Sequence, residues 1–234
     1  MLPLKDTVRS RSFPLVTYAL ILANVLIFVF EASLSPRAFE AFLTSFGMVP
    51  RRLLDQPDAG QVVTVFTSMF LHGGWLHVIS NMWALFIFGD NIEDRMGHFR
   101  FFVFYLICGM GAAAAHVLAD PSSAVPVVGA SGALSGVMGA YLLLFPRARV
   151  VALVPVFLLP WFVEVPAVVF IGFWFIMQIF NGVLSLSGGA QVGAYGGVAW
   201  WAHVGGFLVG LVLAKAFARR YLYRQFSPDE HWPW

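Results

Sequence analysis

Four polar side chains interrupt an otherwise apolar sequence in a pattern suited to acyl transfer. Ser131 lies in GASG at 129–132, His203 in AHVGG at 202–206, and His77 and Asn81 in HVISN at 77–81. A serine hydroxyl attacks an amide at neutral pH only with a base beside it. His203 is the sole titratable residue of its apolar segment before Lys215, which makes it the candidate base. His77 and Asn81 are four apart and share one face of a helix. Both donate hydrogen bonds, which fits stabilisation of an oxyanion rather than attack. Ser135, one turn after Ser131, is a weaker nucleophile because it lies further inside the same helix. All twelve carboxylates fall in tails, loops or the ends of apolar segments, so no buried Asp is offered as third member of a triad, and the spacing predicts a Ser-His dyad.

The elements that must position these groups follow from composition. The chain has 234 residues, of which 59% are hydrophobic and only 11% charged, and its mean hydropathy is +0.80. A soluble domain carries roughly 25% charged residues, so much of this surface faces lipid. Six segments suit membrane spans: 14–30, 75–89, 101–118, 131–145, 165–184 and 197–214. The predicted fold is therefore all-α and polytopic, a bundle of six transmembrane helices. The stretch 31–74, with scattered Arg, Asp and Pro among Phe39, Phe42 and Phe46, is expected to form a structured loop half submerged in the interface. Residues 1–13 and 215–234 are expected as tails flanking one domain over 14–214. The first apolar run follows Lys5, Arg9 and Arg11 without a small-residue cleavage site, so it is expected to be a retained span.

Orientation comes from the bases. With the N-terminus inside, the cytoplasmic side receives Lys5, Arg9, Arg11, Arg95, Arg100, Arg147, Arg149, Lys215, Arg219, Arg220 and Arg224. Arg37, Arg51 and Arg52 remain outside, so 11 + 3 accounts for the 14 bases. Both termini are thus expected in the cytoplasm. The stretch 150–166, apolar but broken by Pro155, Pro160 and Pro166 and carrying Glu164, is expected as an interfacial or re-entrant segment on that side. The same distribution explains the net charge of +2, and no nucleic-acid partner is expected.

In this topology the spans bearing His77 and Asn81, Ser131 and His203 all enter from the outer side, which predicts one shared depth. The fourth span, 131–145, is 15 residues, about 22 Å at 1.5 Å per residue, and falls short of a core about 30 Å thick. A recessed helix start places Ser131 at the floor of a wet pocket, with free N–H groups and the positive dipole end beside it. Ser131 is then both nucleophile and, through its own N–H, an oxyanion donor. Gly132, Gly136, Gly206 and Gly210 form small-xxx-small pairs that let the fourth and sixth spans pack closely. His203 is expected about two turns into the sixth span, and Trp200 and Trp201 read as interfacial anchors. Cys108, the one cysteine, has no disulfide partner and makes no multi-Cys metal site; no cofactor and no metal are expected.

These residues resemble the rhomboid family of intramembrane serine proteases. The matching pieces are GASG at 129–132, AHVGGFLVG at 202–210, HVISN at 77–81 preceded by LHGGW, and GDNIEDRMG at 89–97. They stand in the right order across the stretch 14–214. The resemblance implies Ser131 as nucleophile, His203 as base and acid, His77 and Asn81 as oxyanion contributors, and 31–74 as a membrane-associated loop. It implies single-span membrane-protein substrates, cut near the outer face where the helix unwinds, and the size suggests a bacterial inner (plasma) membrane. Some family members carry at position 135 an aromatic ring that stacks on the histidine; Ser135 leaves the orientation of His203 to other groups. The alternatives are an inactive rhomboid-like protein that binds membrane clients, and a transporter. The first would lack the Ser or the His, and the second would place charge near the midplane. No HExxH or in-span Asp pair supports another protease class, and GASG lacks the spacing of a hydrolase elbow.

Overall fold

The computed structural model describes residues 1–156, 159–186 and 198–219. Two short elements precede the first long helix or follow it closely: β1 (Leu2–Asp6), then α1 (Leu15–Ser33) and α2 (Pro36–Phe46). Next come α3 (Pro50–Asp55), α4 (Ala59–Thr67), a 3-10 turn (Ser68–Phe70), α5 (Trp75–Met96), α6 (His98–Ala119) and α7 (Ser131–Leu144). The chain continues through β2 (Arg149–Val156), β3 (Leu159–Pro166), α8 (Ala167–Leu186) and α9 (Trp200–Phe217). Residue 197, where the sixth span was expected to begin, and 220–234 of the C-terminal tail, with Arg220 and Arg224, lie outside the described residues.

Among the described residues α1, α6, α8 and α9 are long and apolar enough to cross a membrane. The stretch Ala59–Phe70 and α5, bent by 79° at the break between them, make a fifth if taken as one span, and α7 is a shorter apolar helix. The chain is an integral, multi-pass membrane protein with a helical bundle. The helix bounds move from expectation where polar residues continue a helix past its apolar stretch. α5 runs on through Asp90–Arg95 because that end is bonded to its neighbours: buried Glu93 accepts from Val16 N (2.8 Å) and from Thr17 N and Oγ1 (both 2.7 Å). That carboxylate meets the first-turn N–H groups of α1, where the dipole favours an anion.

Central in the bundle is α7, buried at every position from Gly132 to Tyr141 and packed on α5, α6 and α9. Lipid tails give helices no hydrophobic reason to associate, so contact depends on close backbone approach. The glycines permit it: a Cβ on Gly206 would stand 2.0 Å from the Gly132 carbonyl oxygen, and one on Gly210 2.0 Å from that of Gly136. A Cβ on Gly136 would fall 2.4 Å from the Cys108 sulfur, so the buried free thiol fills that notch. The core continues through Phe88, Phe101, Phe104 and Tyr105.

Residues 31–74 are structured, as expected, into three short helices. Ser35 Oγ caps α2 through Ala38 N (3.4 Å) and Asp58 caps α4 through Gln61 N (2.8 Å). Residues 150–166 form an antiparallel hairpin, β2 with β3, to which residues 2–6 of the expected N-terminal tail add as β1. The all-α bundle therefore carries a small three-stranded sheet. Inward Val150 and Ala152 are buried while Arg149 is exposed, a period-two pattern in a valine-rich run. Pro155 and Pro160 are backbone register partners near the hairpin end.

Candidate active site

Ser131 is the first residue of α7, and the loop before it is shaped by Gly129 at φ +127, a conformation that L side chains rarely adopt. A Cβ there would also fall 2.7 Å from His77 Nε2 and 3.5 Å from Ser131 Oγ, so glycine lets the imidazole of α5 close on this turn. Gly129 N donates to Ser68 O (2.8 Å), tying the loop to the 3-10 turn. No side chain caps α7. Its first N–H groups lack intrahelical partners and point toward the Ser131 end.

His203 is the fourth residue of α9, one turn from the start rather than two, because the helix begins at Trp200 and not in the apolar run before it. Its Nε2 lies 2.7 Å from Ser131 Oγ, well inside the range for an O–H donor. His203 is 8% exposed, and its Nδ1 lies 2.8 Å from Gln178 Oε1 of α8. Trp174, one turn before Gln178, sets its ring 5.8 Å from the imidazole, and Trp200 stands edge-on at 6.3 Å. Gln178 and the two tryptophans occupy the surroundings of the imidazole ring. Ser135 is fully buried and donates to Ser131 O (2.6 Å) on its own helix, which ties up the hydroxyl of the weaker nucleophile candidate.

The structure thus gathers Ser131, His203 and His77, and it places Asn81 one turn further along α5. Asn81 is 6% exposed, and its Nδ2 meets His72 Nε2 at 3.1 Å. His72 is buried in the turn before α5, its ring 5.0 Å from that of His77, and its backbone N–H donates to Glu31 Oε2 (3.2 Å). Two residues escaped the sequence reading. His72 was visible only as part of LHGGW. Gln178 carried a signal of its own, a primary amide inside an apolar span, in a reading that sought carboxylates.

An imidazole within reach of a hydroxyl at a helix start is suited to nucleophilic attack on a carbonyl. A family model of the Rhomboid domain matches residues 59–220, which include His72, His77, Asn81, Ser131, Gln178 and His203. The chain belongs to the rhomboid family. Rhomboid relatives extend the likeness beyond that match. RHOMBOID-like protein 12, mitochondrial, of Arabidopsis thaliana is 29% identical over 209 residues, covering 79% of this chain and 57% of its own length. Rhomboid-like protease 5 of Toxoplasma gondii is 28% identical over 81% of this chain, a stretch that is 20% of that protein. RHOMBOID-like protein 5 of Arabidopsis thaliana is 35% identical over 100 residues, 31% of its length. This rhomboid chain therefore spans between about a fifth and three fifths of the curated relatives it matches here.

Proposed function

We propose that this rhomboid is an intramembrane serine endopeptidase that cleaves single-span membrane proteins at the membrane face where α7 begins. The observation that carries this reading is the 2.7 Å contact between Ser131 Oγ and His203 Nε2. Ser131 Oγ attacks the scissile carbonyl carbon as its proton passes to His203 Nε2, and the carbonyl π pair becomes an oxyanion. Collapse breaks the C–N bond, and His203 returns the proton to the leaving amine. Water then repeats the sequence on the acyl-enzyme. The oxyanion is held by the Ser131 N–H with His77 and Asn81, and base catalysis of this kind contributes about 10²–10⁴ in rate. A substrate helix hides its amides, so it must unwind before attack.

In this reading α7 completes six spans, the 31–74 loop lies half in the interface, and both termini face the cytoplasm of a bacterial inner (plasma) membrane. Glycines 132, 136, 206 and 210 serve packing. The test is cleavage of a fluorescent single-span substrate by purified protein in liposomes. Ser131→Ala and His203→Ala should each abolish turnover with the fold retained; near wild-type turnover in either would end the dyad. An inactive client-binding rhomboid would show no cleavage even with both residues intact.

A further inference from the structure

His203 must present a bare Nε2 to the Ser131 hydroxyl, and an imidazole does so only when its proton sits on Nδ1. In triads a buried carboxylate enforces this by accepting from Nδ1. Among the described residues, the group recorded at His203 Nδ1 is the Gln178 amide, at 2.8 Å. An amide is ambivalent: its NH2 would favour the opposite tautomer, and exchanging the orienting carboxylate of a triad for an amide costs about 10⁴ in rate for that reason. Here the ambivalence is removed. Gln178 Nε2 donates to Trp174 O (3.0 Å), the carbonyl one turn earlier in α8, so Oε1 alone faces the imidazole. The reversed amide would set its oxygen against that carbonyl.

We infer that Gln178 is a positioning residue, the neutral third member of a Ser131–His203–Gln178 relay, whose helix-anchored amide fixes the tautomer and plane of His203. Three further observations support it. Gln178 is 5% exposed, at a depth where a buried polar group without a partner is costly. Fully buried Ser135 bonds back to its own helix, and the Trp174 ring lies at 5.8 Å, tilted by 35° to the imidazole. A neutral acceptor also spares the membrane a buried carboxylate. The inference rests on the protease reading and deepens it.

Gln178→Leu keeps the volume and removes the acceptor. It should lower kcat by about 10–100-fold, the worth of one buried hydrogen bond, with KM unchanged. Gln178→Glu restores an acceptor and should recover turnover above the Leu variant. It should also move the acid limb of the kcat/KM profile to higher pH, because a carboxylate favours the imidazolium. Among the described residues His77 on α5 and His116 on α6 act electrostatically on His203, and both stay in place in these variants. Wild-type kcat in Gln178→Leu, or a Gln178→Glu profile that superimposes on wild type, would overturn the assignment. Should either variant fail to fold, the wild-type protein decides. Its ¹⁵N-histidine spectrum in micelles should show His203 Nδ1 as the protonated nitrogen and Nε2 as the bare one, and the reverse would refute the relay. The spectrum reads the tautomer whether or not the protein cleaves. Loss of the protease reading would show instead as absent wild-type cleavage.

Discussion

The two ends of α7 solve opposite problems. At the Tyr141 end the polar contacts are built from carboxylates. The Tyr141 hydroxyl and Asn91 Nδ2 both donate to Asp6 Oδ2, Glu93 caps α1 and pairs with His98, and Asp94 accepts from Ser12. At the Ser131 end the contacts to the hydroxyl and imidazole are neutral: hydroxyl to imidazole, imidazole to amide, amide to backbone carbonyl. Near that end, the Glu31 carboxylate is met by the His72 backbone N–H. Charge is kept where helix ends and the sheet clamp the bundle, and neutral groups are used where the proposed mechanism moves a proton. An unpaired charge buried among helices is expensive, and a neutral relay avoids that cost.

Substitutions at each end sharpen the contrast. The largest effect is expected beside Ser131: His77→Ala and Asn81→Ala should each lower kcat by about 10²–10³, the usual worth of one oxyanion donor, with traces of cleavage left. Wild-type kcat in both would remove them from the oxyanion site. An intermediate effect is expected between the ends, where α7 and α9 touch. Gly206→Val drives a side chain into the Gly132 carbonyl, 2.0 Å from where its Cβ must stand. It should destabilise the fold by at least about 1–3 kcal/mol, seen as a lower unfolding temperature in detergent. An unchanged unfolding temperature would mean the helices are not in backbone contact.

The smallest effect belongs to the Tyr141 end. Burial, aided by Asp90, raises the Asp6 carboxyl from its usual 3.8 to about 6, against the lowering effect of the Tyr141 hydrogen bond. The folded protein therefore holds this proton at pH values where the unfolded chain has released it. The resulting stability is fully present below about 3.8 and is lost as pH rises through about 6. Asp6→Asn should flatten the pH dependence of unfolding across that window and leave cleavage at neutral pH intact. A curve parallel to wild type would show that Asp6 does not titrate there.

Legibility in the sequence followed how local each signal was. Ser131, His203, His77 and Asn81 stood out because each is a polar group with a defined chemistry in an apolar segment, and the alternation of spans gave them one depth. Gln178 did not, for α8 also carries Asn181, and nothing local tells which amide faces inward. In the structure Asn181 merely bonds Met177 O of its own helix, while Gln178 reaches His203. The hairpin was half legible: a short valine-rich run at 150–154 was present, but as an unbroken apolar stretch followed by prolines it carried no strand alternation, and its partner β1 lies more than 140 residues away in the chain. The start of α9 was placed early because Val198 and Ala199 are apolar without being helical.

The central claim is that the Ser131 end of α7 is the reactive one. A fluorophosphonate probe, followed by mass spectrometry of the adduct, tests it most directly. The account predicts one adduct, on Ser131, that disappears in His203→Ala. An adduct on Ser135, or labelling of Ser131 that persists at full rate without His203, would contradict it.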